Sequence, residues 1–228
     1  MKKIDISIFH SPGVNLKTRD AVKLRGYIGN LFRDYSPLLH NHFDDGSFRY
    51  AYPLVQYKVI NGQPYIVAVE EGAELLRSLF FSIKEIDIDG RRIRLTEKYI
   101  GSDMKYIGAD DTLWTYDFIT SWMALNDKNF KEYLNLDHHM AREDFLKKIL
   151  TGNILSFFKY MGHHEENKIL ITASLRGDRA NFKDRTMLTF TGTFTTNVLL
   201  PSFIGLGKAV SRGFGVIKQQ GVESVLNY

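Results

Sequence analysis

YAYPLVQYKVINGQPYIVAVE, residues 50–70, reads as two strand-like runs on either side of Asn61-Gly62. Asn-Gly is a strong hairpin signal, because the tight turn that matches strand twist needs left-handed backbone at both central positions. Upstream, KIDISIF (3–9) alternates apolar and polar residues as a half-buried strand does. After the turn-forming Ser11-Pro12-Gly13, Leu24, Ile28, Leu31 and Phe32 fall at helical spacing, with Thr18 in position to cap, and Pro37 keeps the chain out of a helix. Downstream, a second helix is expected over 73–81. A further strand pair, EIDI and RRIRLTEKYI, turns at Asp89-Gly90. The order is β-α-β-β-α-β with an added hairpin strand, a ferredoxin-like plan.

The second half repeats that plan in pattern but not in letters. TLWTYDFITSWMAL (112–125) is a strand candidate, and 129–161 reads as mostly helical with Gly152 as a break. KILITASL (168–175), TMLTFTGTFTTNVLL (186–200) and FGVIKQQ (214–220) follow as strands. The fold class expected is α+β, two tandem ferredoxin-like domains. The first spans 1–103 and the second 104–228, with a polar linker near 101–111 that holds two glycines and three aspartates.

Composition narrows the chemistry. The 228 residues are 44% hydrophobic and 25% charged, as in ordinary globular domains. There is no cysteine, which removes disulfides, thiolate metal sites and thiol nucleophiles. MKKIDISIFHSPG starts like a signal peptide but carries Asp5 where an apolar core should run, and no apolar stretch reaches the roughly 18 residues of a membrane span. A cytoplasmic protein is expected. The net charge is +4, and the excess is local. Lys17, Arg19, Lys23, Arg25 and Arg33 face the single acid Asp20, while 205–218 holds three basic residues and no acid. Such surfaces attract phosphates, although solvated helix faces would read the same way.

Near the C-terminus, LPSFIGLGKAVSRGFGVIK (200–218) carries Gly205, Gly207, Gly213 and Gly215, with Lys208 and Arg212 between the two glycine pairs. Glycine lets backbone approach a ligand closely, so phosphate contact is one reading and a tightly packed turn the other. The spacing is not that of a P-loop, and no βαβ unit follows as a dinucleotide-binding motif requires.

In LLHNHF (38–43), His40 and His42 flank Asn41. In extended backbone, residues i and i+2 point the same way, roughly 7 Å apart, so both imidazoles could face one phosphate. A zinc site using Asp44 or Asp45 would need a further ligand that no HExxH or cysteine supplies, so no metal is expected. Asp137-His138-His139 spells a phosphoesterase motif without its companion aspartate motifs and reads as helix surface. His163-His164 reads as the turn after the long helix.

GLGKAVSRGFG resembles the C-terminal glycine-rich loop of the RAMP superfamily, CRISPR-associated RNA-binding proteins built from ferredoxin-like domains. With a histidine pair in the loop after the first helix, the chain is most similar to the type I-B-like endoribonucleases that cut CRISPR repeat RNA. The resemblance implies cutting without metal or other cofactor: the substrate 2′-hydroxyl attacks the adjacent phosphorus, leaving a 5′-hydroxyl and a 2′,3′-cyclic phosphate. Histidine suits both proton transfers because its ordinary pKa leaves each form populated near neutrality. By the same resemblance, Arg33 would supply charge and Tyr50 would complete the site, with Lys23 and Tyr52 as substitutes. RNA contacts would come from the four glycines, Lys208, Arg212, Lys23 and Arg25, then Arg176 and Arg179. Repeat RNA is the implied partner. Other CRISPR-associated proteins of an interference complex, and a homodimer, stay open. The alternative is a non-catalytic RAMP subunit that holds guide RNA.

Overall fold

The Asn61-Gly62 turn takes φ values of 50° and 80°, and closes β2 (Val55–Ile60) onto β3 (Gln63–Val69). These residues belong to a computed structural model that describes 1–32, 52–182 and 185–221. Around the hairpin lie β1 (Lys2–His10), α1 (Ala21–Leu31) and α2 (Glu71–Leu79). A long strand, β6 (Tyr99–Trp122), contributes its first residues to the same sheet, giving the order β2-β3-β1-β6. This is the ferredoxin-like arrangement. Its core joins Leu24 and Ile28 of α1, Tyr57 and Val59 of β2, and Leu76 and Leu79 of α2.

Several expectations need correcting. The hairpin β4 (Glu85–Ile88) and β5 (Arg91–Arg94) forms its own two-stranded sheet, and RRIRLTEKYI is split between β5 and β6. Lys98 marks the split, donating to the Phe80 and Ile83 carbonyls at 2.7 and 3.0 Å. The expected linker over 101–111 is instead continuous strand within β6. Its first residues are largely exposed, Asp103 pairing with Lys105 at 2.6 Å, while Ile107 and Ala109 further along are buried. Thr18 does not cap α1: it begins a 3-10 turn (Thr18–Asp20), and the Asp20 carboxylate accepts the Lys17 N–H at 2.9 Å.

Contacts divide the chain into two units. Among the described residues, one contains 3–105 together with 210–213; the other contains 1–2, 106–209 and 214–221. The second unit runs from the remainder of β6 through α3 (Asp127–Leu134), α4 (His139–Tyr160), β7 (Ile171–Phe182) and β8 (Arg185–Leu199) to β9 (Ile217–Gln219). Its sheet order is β9-β6-β8-β7. That is the ferredoxin-like order again, with the glycine-rich segment standing where the second helix would be. The fold is α+β with tandem ferredoxin-like domains. Gly152 does not break α4, which continues to Tyr160. Trp122, Phe190 and Phe194 join Leu150, Ile154 and Phe157 among this unit's buried side chains. No helix among the described residues is long and apolar enough to cross a membrane.

Candidate functional site

The glycines of 205–215 are held by close backbone packing. Gly205 bridges Val216, the Leu206 N–H donates to the Gly215 carbonyl at 2.9 Å, and the Gly215 N–H donates to Ser121 at 2.9 Å. Gly215 has φ +64°, and a Cβ there would lie 2.0 Å from the Leu206 oxygen. At Gly207, φ +90°, a Cβ would lie 2.6 Å from Trp122 Nε1. Gly213 serves the other unit: a Cβ there would meet the Ala21 Cβ at 3.0 Å and the Tyr57 carbonyl at 3.5 Å. Close packing and positive φ together therefore demand glycine at these three positions. The Lys208 N–H is also spent internally, on the Met123 carbonyl at 3.1 Å.

The cations around this segment differ in how free they are to meet a phosphate. Lys208 is exposed. Arg212 closes the 3-10 turn Val210–Arg212 beside Arg25 of α1, within one unit. Burial first, and then the like charge of Arg212, lowers the pKa of Arg25 from its ordinary value. Like charges near each other repel, and an anion reaching both would relieve that repulsion. Lys23 is engaged: its ammonium bonds Asp20 at 2.9 Å and also Asp89, which with burial opposing raises its pKa. Arg179 is exposed on β7. At the end of that strand, Phe182 meets Phe214 edge-on, ring centroids 5.7 Å apart.

His40, His42, Arg33 and Tyr50 lie outside the described residues, as do Asp44 and Asp45. Tyr52 is described but belongs to no helix or strand. His138 caps α4 and His139 begins it, both exposed. His163 follows α4 and donates to the Glu165 carboxylate, 3.0 Å away. Burial would raise the Glu165 pKa, but the Ala109 N–H, His163 and two Asn167 donors outweigh it and hold the carboxyl at about 2. That constellation ties the loop after α4 to β6. Among the described residues, no three histidine, aspartate or glutamate side chains gather in a set that could hold a metal.

One row of polar side chains escaped the sequence reading. Lys58 of β2 is wholly buried and donates to Gln56 Oε1 at 2.8 Å, and burial drives its pKa down to about 7. Across the sheet, Lys58 pairs with Tyr65 and Tyr65 with His10. The His10 ring stacks on Tyr65 and on Tyr99, each 5.2 Å away. Directly paired residues share a sheet face, so these four form one stripe. Its only sequence trace is a lysine inside the apolar run VQYKVI.

Comparison with known proteins agrees with this architecture. Residues 3–105 match the family model of the Cas6b N-terminal domain, and residues 108–220 that of the Cas6b C-terminal domain. A crystal structure of Cas6b is 37% identical, with TM-score 0.90, covering 95% of this chain and 99% of that one. A second, described as the CRISPR RNA processing endoribonuclease Cas6b, is 33% identical with TM-score 0.78, covering 96% of this chain and 100% of its own. The uncharacterized protein MJ0978 of Methanocaldococcus jannaschii is 33% identical over 140 residues, 61% of this chain and 95% of that protein. Both ferredoxin-like halves are thus matched in order along nearly the whole chain, which belongs to the Cas6b family.

Proposed function

We propose that this chain cuts CRISPR repeat RNA in precursor transcripts into guide units without a metal ion. That the chain is a CRISPR RNA-processing endoribonuclease of the RAMP type rests on one observation: family membership along both halves, with near-complete structural likeness to Cas6b. A subunit that only holds RNA is correspondingly disfavoured. The finer reading concerns chemistry. The 2′-hydroxyl attacks the adjacent phosphorus, the P–O5′ bond breaks, and the products are a 2′,3′-cyclic phosphate and a 5′-hydroxyl. His40 and His42 take the proton from the nucleophile and deliver one to the leaving oxygen, in an order left open. Arg33 offsets charge on the phosphate and, being always cationic, transfers no proton. Tyr50 completes the site.

The division of labour gives the histidine loop to the N-terminal domain, 1–103, and the glycine-rich segment to the C-terminal domain, 104–228. Lys208, Arg212, Arg25 and Arg179 grip RNA phosphates beside the backbone of Gly205, Gly207, Gly213 and Gly215. Lys23 joins them only by leaving Asp20 and Asp89. The setting is cytoplasmic. Association with other CRISPR-associated proteins or with a second copy fits the same role.

Labelled repeat RNA incubated with the protein in EDTA should be cut. His40→Ala or His42→Ala should slow cutting by roughly 10²–10⁴-fold while binding survives, and a 2′-deoxy nucleotide at the cleaved linkage should block it. Cutting of the deoxy substrate, or its arrest by EDTA, would overturn the mechanism.

A further inference from the structure

A cavity of about 350 Å³ opens in the second unit between the α3–α4 pair and the β7–β8 hairpin. None of the residues lining it belongs to the cleavage or glycine-loop assignments. Leu146 and Phe190, both buried, form its floor, and Tyr133, Arg142, Glu143 and Arg176 supply its polar wall.

The wall is prepared for a flat, negatively charged ligand. Arg142 lies over the Tyr133 ring, Cζ 5.4 Å from the centroid, and its Nε donates to the Leu136 carbonyl at 2.9 Å. Those two contacts fix the guanidinium plane and leave its terminal N–H groups for a ligand. Tyr133 is itself braced edge-on by Phe190, centroids 5.6 Å apart. Arg176 stands exposed on β7, and its side chain makes no hydrogen bond or ion pair among the described residues. Two guanidiniums therefore share the wall with one carboxylate, Glu143, which His139 approaches at 3.7 Å. An apolar ligand would leave both cations desolvated without a partner. A peptide carboxylate would use the charge but not the ring-and-guanidinium stack. A nucleotide uses both, and the volume lies within the roughly 300–1,000 Å³ of ligand pockets.

We infer that this cavity seats one unpaired nucleotide of the bound RNA, its base against Tyr133 and Arg142 and its phosphate on Arg176. The inference rests on the reading of the chain as an RNA-processing enzyme and names a holding subsite, where nothing is cut. Stacked bases and arginine–phosphate pairs are how proteins grip single-stranded RNA.

The test compares the full-length protein with its Arg176→Glu variant on repeat RNA containing 4-thiouridine. Expected is a roughly five- to twentyfold loss of affinity, and a slope of log affinity against log salt reduced by about one. Single-turnover cutting at saturating protein should stay within about twofold of the parent. Photo-cross-links should map to the peptide containing Tyr133 or to the start of α4, and should be lost in Arg142→Gln. Arg176→Glu is the deciding variant, because Arg142 also anchors the turn between α3 and α4. If affinity, slope and cross-links are unchanged while the parent protein cuts normally, the inference falls and the enzyme reading stands. If cutting at saturation drops in step with affinity, Arg176 belongs to the cleavage machinery and the inference falls as well. A parent protein that neither binds nor cuts repeat RNA overturns both.

Discussion

Lys58 is the residue whose environment conflicts most with its chemistry. A lysine ordinarily keeps its proton to about pH 10.5, yet burial lowers this one to about 7. Unfolded chains therefore bind one more proton than folded ones between those two values, so the folded state gains stability as pH rises through that window. Below pH 7 the full cost of burying the charge is present. Lys58→Met removes the charge and retains an unbranched apolar chain, so it should stabilise the protein most in acid. Its advantage should shrink by about 2–3 kcal/mol between pH 6 and pH 9, read as the difference between parent and variant in urea unfolding. An advantage that does not change with pH would mean that Lys58 stays charged in the folded protein. The Gln56 amide, which accepts from Lys58 and donates to the Pro53 carbonyl at 3.2 Å, shows how few groups are arranged to hold that charge.

Glycines separate elements that could be read from sequence from those that could not. Gly152 reads in sequence as a break within a mostly helical stretch, yet it sits inside α4, and a Cβ there would meet nothing within 4 Å. Helix propensity was outweighed by the apolar face of Leu146, Leu150, Ile154 and Phe157, all buried. Gly152→Ala should thus stabilise by about 0.5–1 kcal/mol. Gly215→Ala, forced against the Leu206 carbonyl, should cost roughly 3 kcal/mol or more. Denaturant midpoints decide both, and a neutral Gly215→Ala would show that the turn yields. The Asn61-Gly62 and Asp89-Gly90 turns were legible because their chemistry is local: all four residues take positive φ. The strand over 101–111 was not, because what holds it extended is partly distant in sequence. Ser7 bonds Ser102 at 2.8 Å, and Glu165 bonds the Ala109 N–H at 2.7 Å. For the site, the histidine letters and the glycine spacing were visible in sequence, whereas the engagement of Lys23 by two carboxylates and the stripe from Lys58 to Tyr99 needed the fold.

At the scale of the whole molecule, the N-terminal ferredoxin-like unit is completed by residues far along the chain. β2 is the edge strand of its sheet, and an open edge exposes unpaired backbone groups that invite association with other chains. The turn at 210–213 belongs to this unit, with Gly213 set close to Ala21 of α1 and to the backbone of Tyr57 and Lys58. A side chain at 213 would strain a φ of +90° and collide with Ala21 together. Gly213→Val should therefore lift this turn from β2, while β7 and β8 stay paired through their own continuous ladder. Hydrogen exchange in the full-length protein should then quicken in β2 by about tenfold or more, equivalent to about 1.4 kcal/mol of lost local stability, while β7 and β8 keep their protection. Because Arg212 rides on the same turn beside Arg25, RNA affinity should fall in the same variant. Unchanged exchange in β2 would mean that its edge is protected by something other than the C-terminal segment, and the pairing of Arg25 with Arg212 would then lose its structural basis.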